Sequence, residues 1–119
     1  MLLHCSYPWI EDMSLLMRQH TNVYADLSWL PLGSGTASIQ VLNELLEGSS
    51  LDRIFWGCDT WTAEESYGAL LAACHCLGST LAGKVMDGYF TRADALRVVD
   101  AILFENPSQF YKLDTSRGS

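Results

Sequence analysis

The groups able to do chemistry in this chain of 119 residues are few: three histidines, four cysteines and 14 acidic side chains. Three of them stand out by position. His4 follows the apolar start Met1-Leu2-Leu3, Asp26 lies in Val23-Tyr24-Ala25-Asp26-Leu27, and Asp59 follows directly on Ile54-Phe55-Trp56-Gly57-Cys58. An imidazole and carboxylates at the ends of apolar runs are suited to metal ligation and to proton transfer. Cys74-His75-Cys76 offers softer ligands. A CxC pair on a helix sends its two sulfurs to different faces, however, and no CxxC or HxxxH pair accompanies it, so no structural zinc site is expected there. His75 is read as structural and His20 as an exposed helix-end residue. Cys5, Cys58, Cys74 and Cys76 all fall inside apolar patterns, and no leader of the secretory kind stands at the N-terminus. They are expected to be buried or idle thiols in a reducing, cytoplasmic setting rather than two disulfides.

The elements that must position these groups alternate. Residues 1–5, 22–27 and 54–58 read as strands, and the last, apolar without interruption, is the pattern of a strand buried on both faces. Tyr7-Pro8-Trp9 is a turn. Glu11 and Asp12 open a helix carrying Ile10, Met13, Leu16 and Met17 at helical spacing. Residues 28–36, with Pro31, Gly33 and Gly35, read as a loop, and 37–46 as an amphipathic helix. Thr62 with Glu65 is a capping-box pattern before a long helix from about residue 63 into the eighties, ended by Asp87-Gly88. Thr91 with Asp94 caps the next helix, which runs to about Glu105, and Asn106-Pro107 is read as the cap and first position of a last short one. Residues 114–119 read as a disordered tail. The order β-α-β-α-β-α-α-α predicts an α/β fold with parallel strands joined by crossovers.

Composition narrows the partners. Seven basic against 14 acidic residues give a formal charge of −7, which argues against nucleic acid and against an anionic membrane surface. No unbroken apolar run approaches the ~18–20 residues of a membrane span. An apolar share of 49% supports one modest core.

Three strand ends in order carry a family likeness. His4-Cys5-Ser6-Tyr7-Pro8, then Asn22-Val23-Tyr24-Ala25-Asp26-Leu27-Ser28-Trp29, then Arg53-Ile54-Phe55-Trp56-Gly57-Cys58-Asp59, resemble the last three β-strands of a metal-dependent amidohydrolase (β/α)₈ barrel. Gly88-Tyr89-Phe90, Ala95-Leu96, Ile102-Leu103, Glu105-Asn106 and Phe110-Tyr111 are similar to its closing helices. The likeness spans about residues 2–113 and is nearest the amidohydrolase-related, uronate-isomerase-like branch. It implies a partial TIM barrel: the last three β/α units plus closing helices, over a domain of residues 1–113. Barrel chemistry sits at the C-terminal ends of strands, where His4, Asp26 and Asp59 fall. The resemblance makes Asp59 a metal ligand or the base that takes a proton from a metal-bound water, and makes His4 a metal or substrate contact. Trp9, Trp29, Trp61 and Asp26 are candidate substrate contacts.

The resemblance also implies what is missing from the 119 residues. A complete barrel holds eight strands in typically ~250 residues, and the family's first-strand His-x-His ligands do not occur here. The strand that starts at Met1 would be the sixth of eight. A catalytic zinc normally has three protein ligands. A divalent metal, zinc first, is therefore expected in the complete barrel, with possibly none in this chain, and the chain alone is expected to be inactive. The complete enzyme would act on a small carboxylated, amide or ester substrate. Bare edges of a three-stranded sheet recruit partners, so a homo-oligomer or association with the missing barrel half is expected. The other reading is a non-enzymatic, self-associating α/β module derived from such an enzyme.

Overall fold

The structure, a computed structural model, describes residues 1–113; the predicted tail at 114–119 lies outside the described residues. The elements are a 3₁₀ turn at Leu3–Ser6, α1 (Ile10–Gln19), β1 (Ala25–Asp26), α2 (Leu30–Gly33), α3 (Gly35–Gly48), a second 3₁₀ turn at Leu51–Arg53, β2 (Ile54–Phe55), α4 (Ala63–Met86), α5 (Arg92–Asp100), a π turn at Ala101–Glu105, and α6 (Asn106–Phe110). The fold is α/β, mostly helical, with parallel pairing.

The strands are shorter than the sequence predicts. Leu2 forms a parallel bridge to Ala25, and β1 pairs in parallel with β2, Ala25 facing Ile54 and Asp26 facing Phe55. Leu2 N–H donates to Tyr24 O (2.7 Å), Asp26 N–H to Leu2 O (3.0 Å) and Leu27 N–H to Phe55 O (2.8 Å). The expected first strand is thus a single bridge. Its cause lies at the next residues: His4, Cys5 and Ser6 all have positive φ (53°, 50° and 54°), which turns the chain out of the ladder. The same happens beyond β1 at Trp29 (φ 60°) and beyond β2 at Asp59 (φ 49°).

The helices follow their capping signals closely. Thr62 Oγ1 accepts from Glu65 N–H (3.1 Å) at the start of α4, and Thr91 with Asp94 forms a reciprocal capping box at the start of α5. Two predictions need correction. The 28–36 loop contains a helical turn, α2, because Pro31 supplies the fixed φ of a first helical turn. Asn106 does not cap the last helix. Its own backbone is helical (φ −61°, ψ −52°), since the chain passes from α5 to α6 through the π turn without leaving helical space.

The core lies between the sheet and α1, α3, α4 and α5. It comprises Met13 and Met17, Val41, Leu42 and Leu45, Ile54, Leu77 and Leu81, and Val98 and Ile102. Arg53 fastens the back of the sheet to α1: its Nη1 donates to the carbonyls of Met17 (2.8 Å), His20 (2.8 Å) and Val23 (3.2 Å). Met17 O lies in the last turn of α1 and the other two carbonyls just beyond it, where a cation is favoured. Tyr24, Phe55 and Phe110 close the α6 side as a ring cluster with centroids 4.8–5.5 Å apart. The alanines, leucines and cysteines of α4 bring an 18-residue window to mean hydropathy 1.3, so by length and composition this helix could cross a membrane, though no unbroken apolar run shows it in the sequence. Its stripe of Ala69, Ala73, Cys76, Leu77 and Leu81 is buried in the core.

Candidate functional site

The strand ends bring two of the predicted residues together. His4 Nε2 lies 3.6 Å from Asp59 Oδ2, although 55 positions separate them in sequence. The pair is open to solvent, with side-chain exposures of 37% and 57%. The other ring nitrogen is engaged: His4 Nδ1 is 2.9 Å from the carbonyl oxygen of Ser28. A carbonyl only accepts, so Nδ1 carries a proton, and in the neutral ring Nε2 then presents its lone pair. Two acceptors facing each other at 3.6 Å, too far for a hydrogen bond, suit a cation between them.

Backbone strain accompanies this pair. His4, Trp29 and Asp59, the residues that leave three neighbouring strand segments, are all non-glycine residues with positive φ. Each costs about 1–2 kcal/mol against the ordinary conformation. Such outliers persist where surrounding structure holds them, and they concentrate at functional sites. Trp29 completes the local geometry. Its ring lies 5.6 Å from the His4 ring at 58°, and its other side covers Gly33, where an added Cβ would come within 2.9 Å of the indole. Only glycine permits that approach.

Asp26 stands beside the pair but its carboxylate is satisfied. Oδ1 accepts from Ser28 N–H and Oδ2 from Ser28 Oγ, both at 2.9 Å. Asp26 thus holds the segment whose carbonyl orients His4. Beneath it, burial pushes the Cys5 thiol far up from its ordinary range, the negative charge of Asp26 adding to the effect. Cys5 is inert as a nucleophile. Trp61 follows Asp59 by two residues and is 96% exposed, its backbone N–H held by Glu65 Oε2 at 2.9 Å. Trp9 lines a separate cleft with Tyr7 and Glu44, in which neither His4 nor Asp59 takes part. Cys74 is exposed and Cys76 buried, as their spacing on a helix dictates. His20 is exposed and closes α1.

The residue missed from sequence is Ser28. Its carbonyl fixes the His4 ring and its N–H and hydroxyl fix Asp26. The Asp-x-Ser spacing was the available signal for the second role, whereas a backbone carbonyl leaves no signal for the first.

The donor set is incomplete for a resident metal. A 3.6 Å separation fits two donors each ~2 Å from one ion. Yet among the described residues no group of three His, Cys, Asp or Glu side chains is placed to hold a metal, and a catalytic zinc takes three protein ligands. His4 and Asp59 are two donors, short of that number.

What the fold and these strand ends define is an α/β unit with an imidazole–carboxylate pair at the C-terminal ends of parallel strands. The amidohydrolase family model matches residues 1–113, and the chain belongs to that family. It is also similar to protein fluG of Emericella nidulans, at 30% identity over 115 residues, which is 95% of this chain and 13% of that protein. The chain therefore spans a small part of this relative's length. No solved structure matches.

Proposed function

We propose that this chain supplies the last three β/α units and closing helices of a metal-dependent hydrolase barrel, and that it is inactive alone. The carrying observation is the approach of His4 Nε2 to within 3.6 Å of Asp59 Oδ2, with the imidazole fixed through its Nδ1 by Ser28. In carboxylate- or carbonyl-supported histidines this arrangement sets the tautomer and aims the free nitrogen at a ligand position. The chemistry a divalent ion, zinc first, supplies in such barrels is a bound water of lowered pKa. The part of this chain is to present His4 Nε2 as a donor and Asp59 Oδ2 as a donor or proton acceptor. The remaining ligands would come from the missing barrel half, which would also cover the open sheet edge.

The substrate class we assign is a small carboxylated, amide or ester compound, hydrolysed, decarboxylated or isomerised in the manner of the uronate-isomerase-like branch, in the cytoplasm. Zinc added to labelled chain should shift the ring signals of His4 in NMR spectra and leave those of His20 and His75 in place, and Asp59→Asn should abolish the shift. Equal shifts at all three histidines, or a His4 shift that Asp59→Asn leaves unchanged, would overturn the reading. The shortage of donors favours one other reading, a self-associating module without catalysis. Light scattering separates them if a stable homo-oligomer forms and His4 stays silent toward zinc.

A further inference from the structure

A second concavity, of about 470 Å³, lies where the turn after His4 enters α1 and faces α3. That volume is in the range of small-molecule sites. Tyr7 and Trp9 line it, 47% and 66% exposed, and neither ring has an aromatic partner among the described residues, unlike Tyr24, Phe55 and Phe110. Every charged side chain that lines the cleft is acidic: Glu11, Asp12 and Glu44.

The charges differ in how far they are already compensated. Glu44 Oε1 accepts from Ser14 Oγ (3.0 Å) and from Arg18 Nη2 (3.1 Å), so Arg18 neutralises it in part. Glu11 and Asp12 have no side-chain partner among the described residues and meet only the positive end of the α1 dipole, a fraction of one charge. Two carboxylates against that fraction, on a chain of formal charge −7, leave a negative potential at the cleft. An anion would be repelled there. A neutral apolar body would use the rings and leave the carboxylates without a counter-charge. A cation with an apolar shell uses both, since the faces of Trp and Tyr attract cations.

We propose that this cleft is a binding site for an organic cation, a protonated or quaternary amine on a small apolar body. The site stands apart from the His4–Asp59 pair and does not depend on the reading of that pair. Choline and its neutral isostere 3,3-dimethylbutanol, nearly equal in shape, test it on the chain as it is. Choline should saturably shift the Trp9 indole N–H signal and bind at least about tenfold more tightly than the alcohol. Trp9→Leu, which keeps an apolar side chain but removes the ring face, should weaken choline binding severalfold. Glu11→Gln with Asp12→Asn should do the same and remove most of its salt dependence. Trp9 is at the surface, so the melt of Trp9→Leu should overlay that of the parent, while the double variant should melt slightly lower because it loses two carboxylates from the first turn of α1. Equal affinity for choline and the alcohol, or no saturable change at Trp9, would overturn the proposal.

Discussion

The side-chain amide of Asn106 closes the outer edge of the sheet at Ile54. Its Nδ2 donates to Ile54 O at 2.8 Å and to Leu51 O at 2.7 Å, from a side chain that is buried. Phe55 O is spent inward on Leu27 N–H, so Ile54 O is the carbonyl that would otherwise stand bare on the far side of β2. One helix residue thus satisfies the acceptor that the sheet leaves open and adds a second donor to Leu51 O, which already accepts from Ile54 N–H.

Asn106→Leu should therefore cost more than its similarly branched shape suggests. It leaves the buried Ile54 carbonyl without a donor, at about 1–3 kcal/mol, while Leu51 O keeps the N–H of Ile54. The expected loss in urea unfolding is of that size, with Asn106→Asp no better, because a carboxylate cannot donate. A loss below about 1 kcal/mol would mean that water replaces the amide.

The positive φ at Asp59 predicts that glycine is tolerated better than alanine at the His4–Asp59 pair. Asp59 has φ 49°, a conformation open to glycine without a Cβ penalty. Asp59→Gly should be more stable than Asp59→Ala by about 1 kcal/mol. Both variants should lose the zinc response of His4. Chemical denaturation of the two variants side by side measures the difference, and equal stability would remove strain from the account of the site.

How far the sequence reveals this molecule depends on where the determinants lie. Thr62–Glu65 and Thr91–Asp94 place their helices correctly because a cap is a local hydrogen bond between residues three apart. The parallel order of the three strand segments is legible from the alternation of elements, and His4 and Asp59 from their places at strand ends. The strand lengths are not legible. Whether residue 4 continues a ladder is decided by positive φ at His4, Cys5 and Ser6, and the side chains there do not announce it. Asn106 misleads for the same reason: Asn before Pro is a good cap locally, while carbonyls more than 50 residues away claim its amide. The orientation of His4 rests on the Ser28 carbonyl, a backbone group common to every residue type.

Acid stability should trace to α5. Asp94 accepts from the Thr91 hydroxyl and backbone N–H and pairs with Arg97, which together lower its pKa from 3.8 to about 2. A carboxyl with a depressed folded-state pKa binds its proton more readily when unfolded, so its contribution is present above about pH 4 and is lost as pH falls toward 2. In thermal melts from pH 5 to 2, Asp94→Asn should melt below the parent at pH 5, and the gap should close near pH 2. A gap independent of pH would assign the effect to Thr91 capping geometry alone.

The pair of Lys84 and Glu47 joins α4 to α3 with an asymmetry that can be measured. Lys84 is buried, its ammonium on the Glu47 carboxylate and 4.9 Å from the centre of the Tyr89 ring, whereas the Glu47 side chain is 55% exposed. Removing the carboxylate leaves a cation out of water with only a ring face to meet it, which is the costly way to break such a pair. Removing the cation leaves a carboxylate that water reaches. Glu47→Gln should therefore destabilise by about 1–3 kcal/mol and Lys84→Met by less than about 1 kcal/mol, since the methionine keeps the apolar stem packed. Urea unfolding of the two single variants and the double variant measures both costs and their coupling. If Lys84→Met is the more damaging change, the ammonium contributes through Tyr89 and the surrounding packing rather than through Glu47.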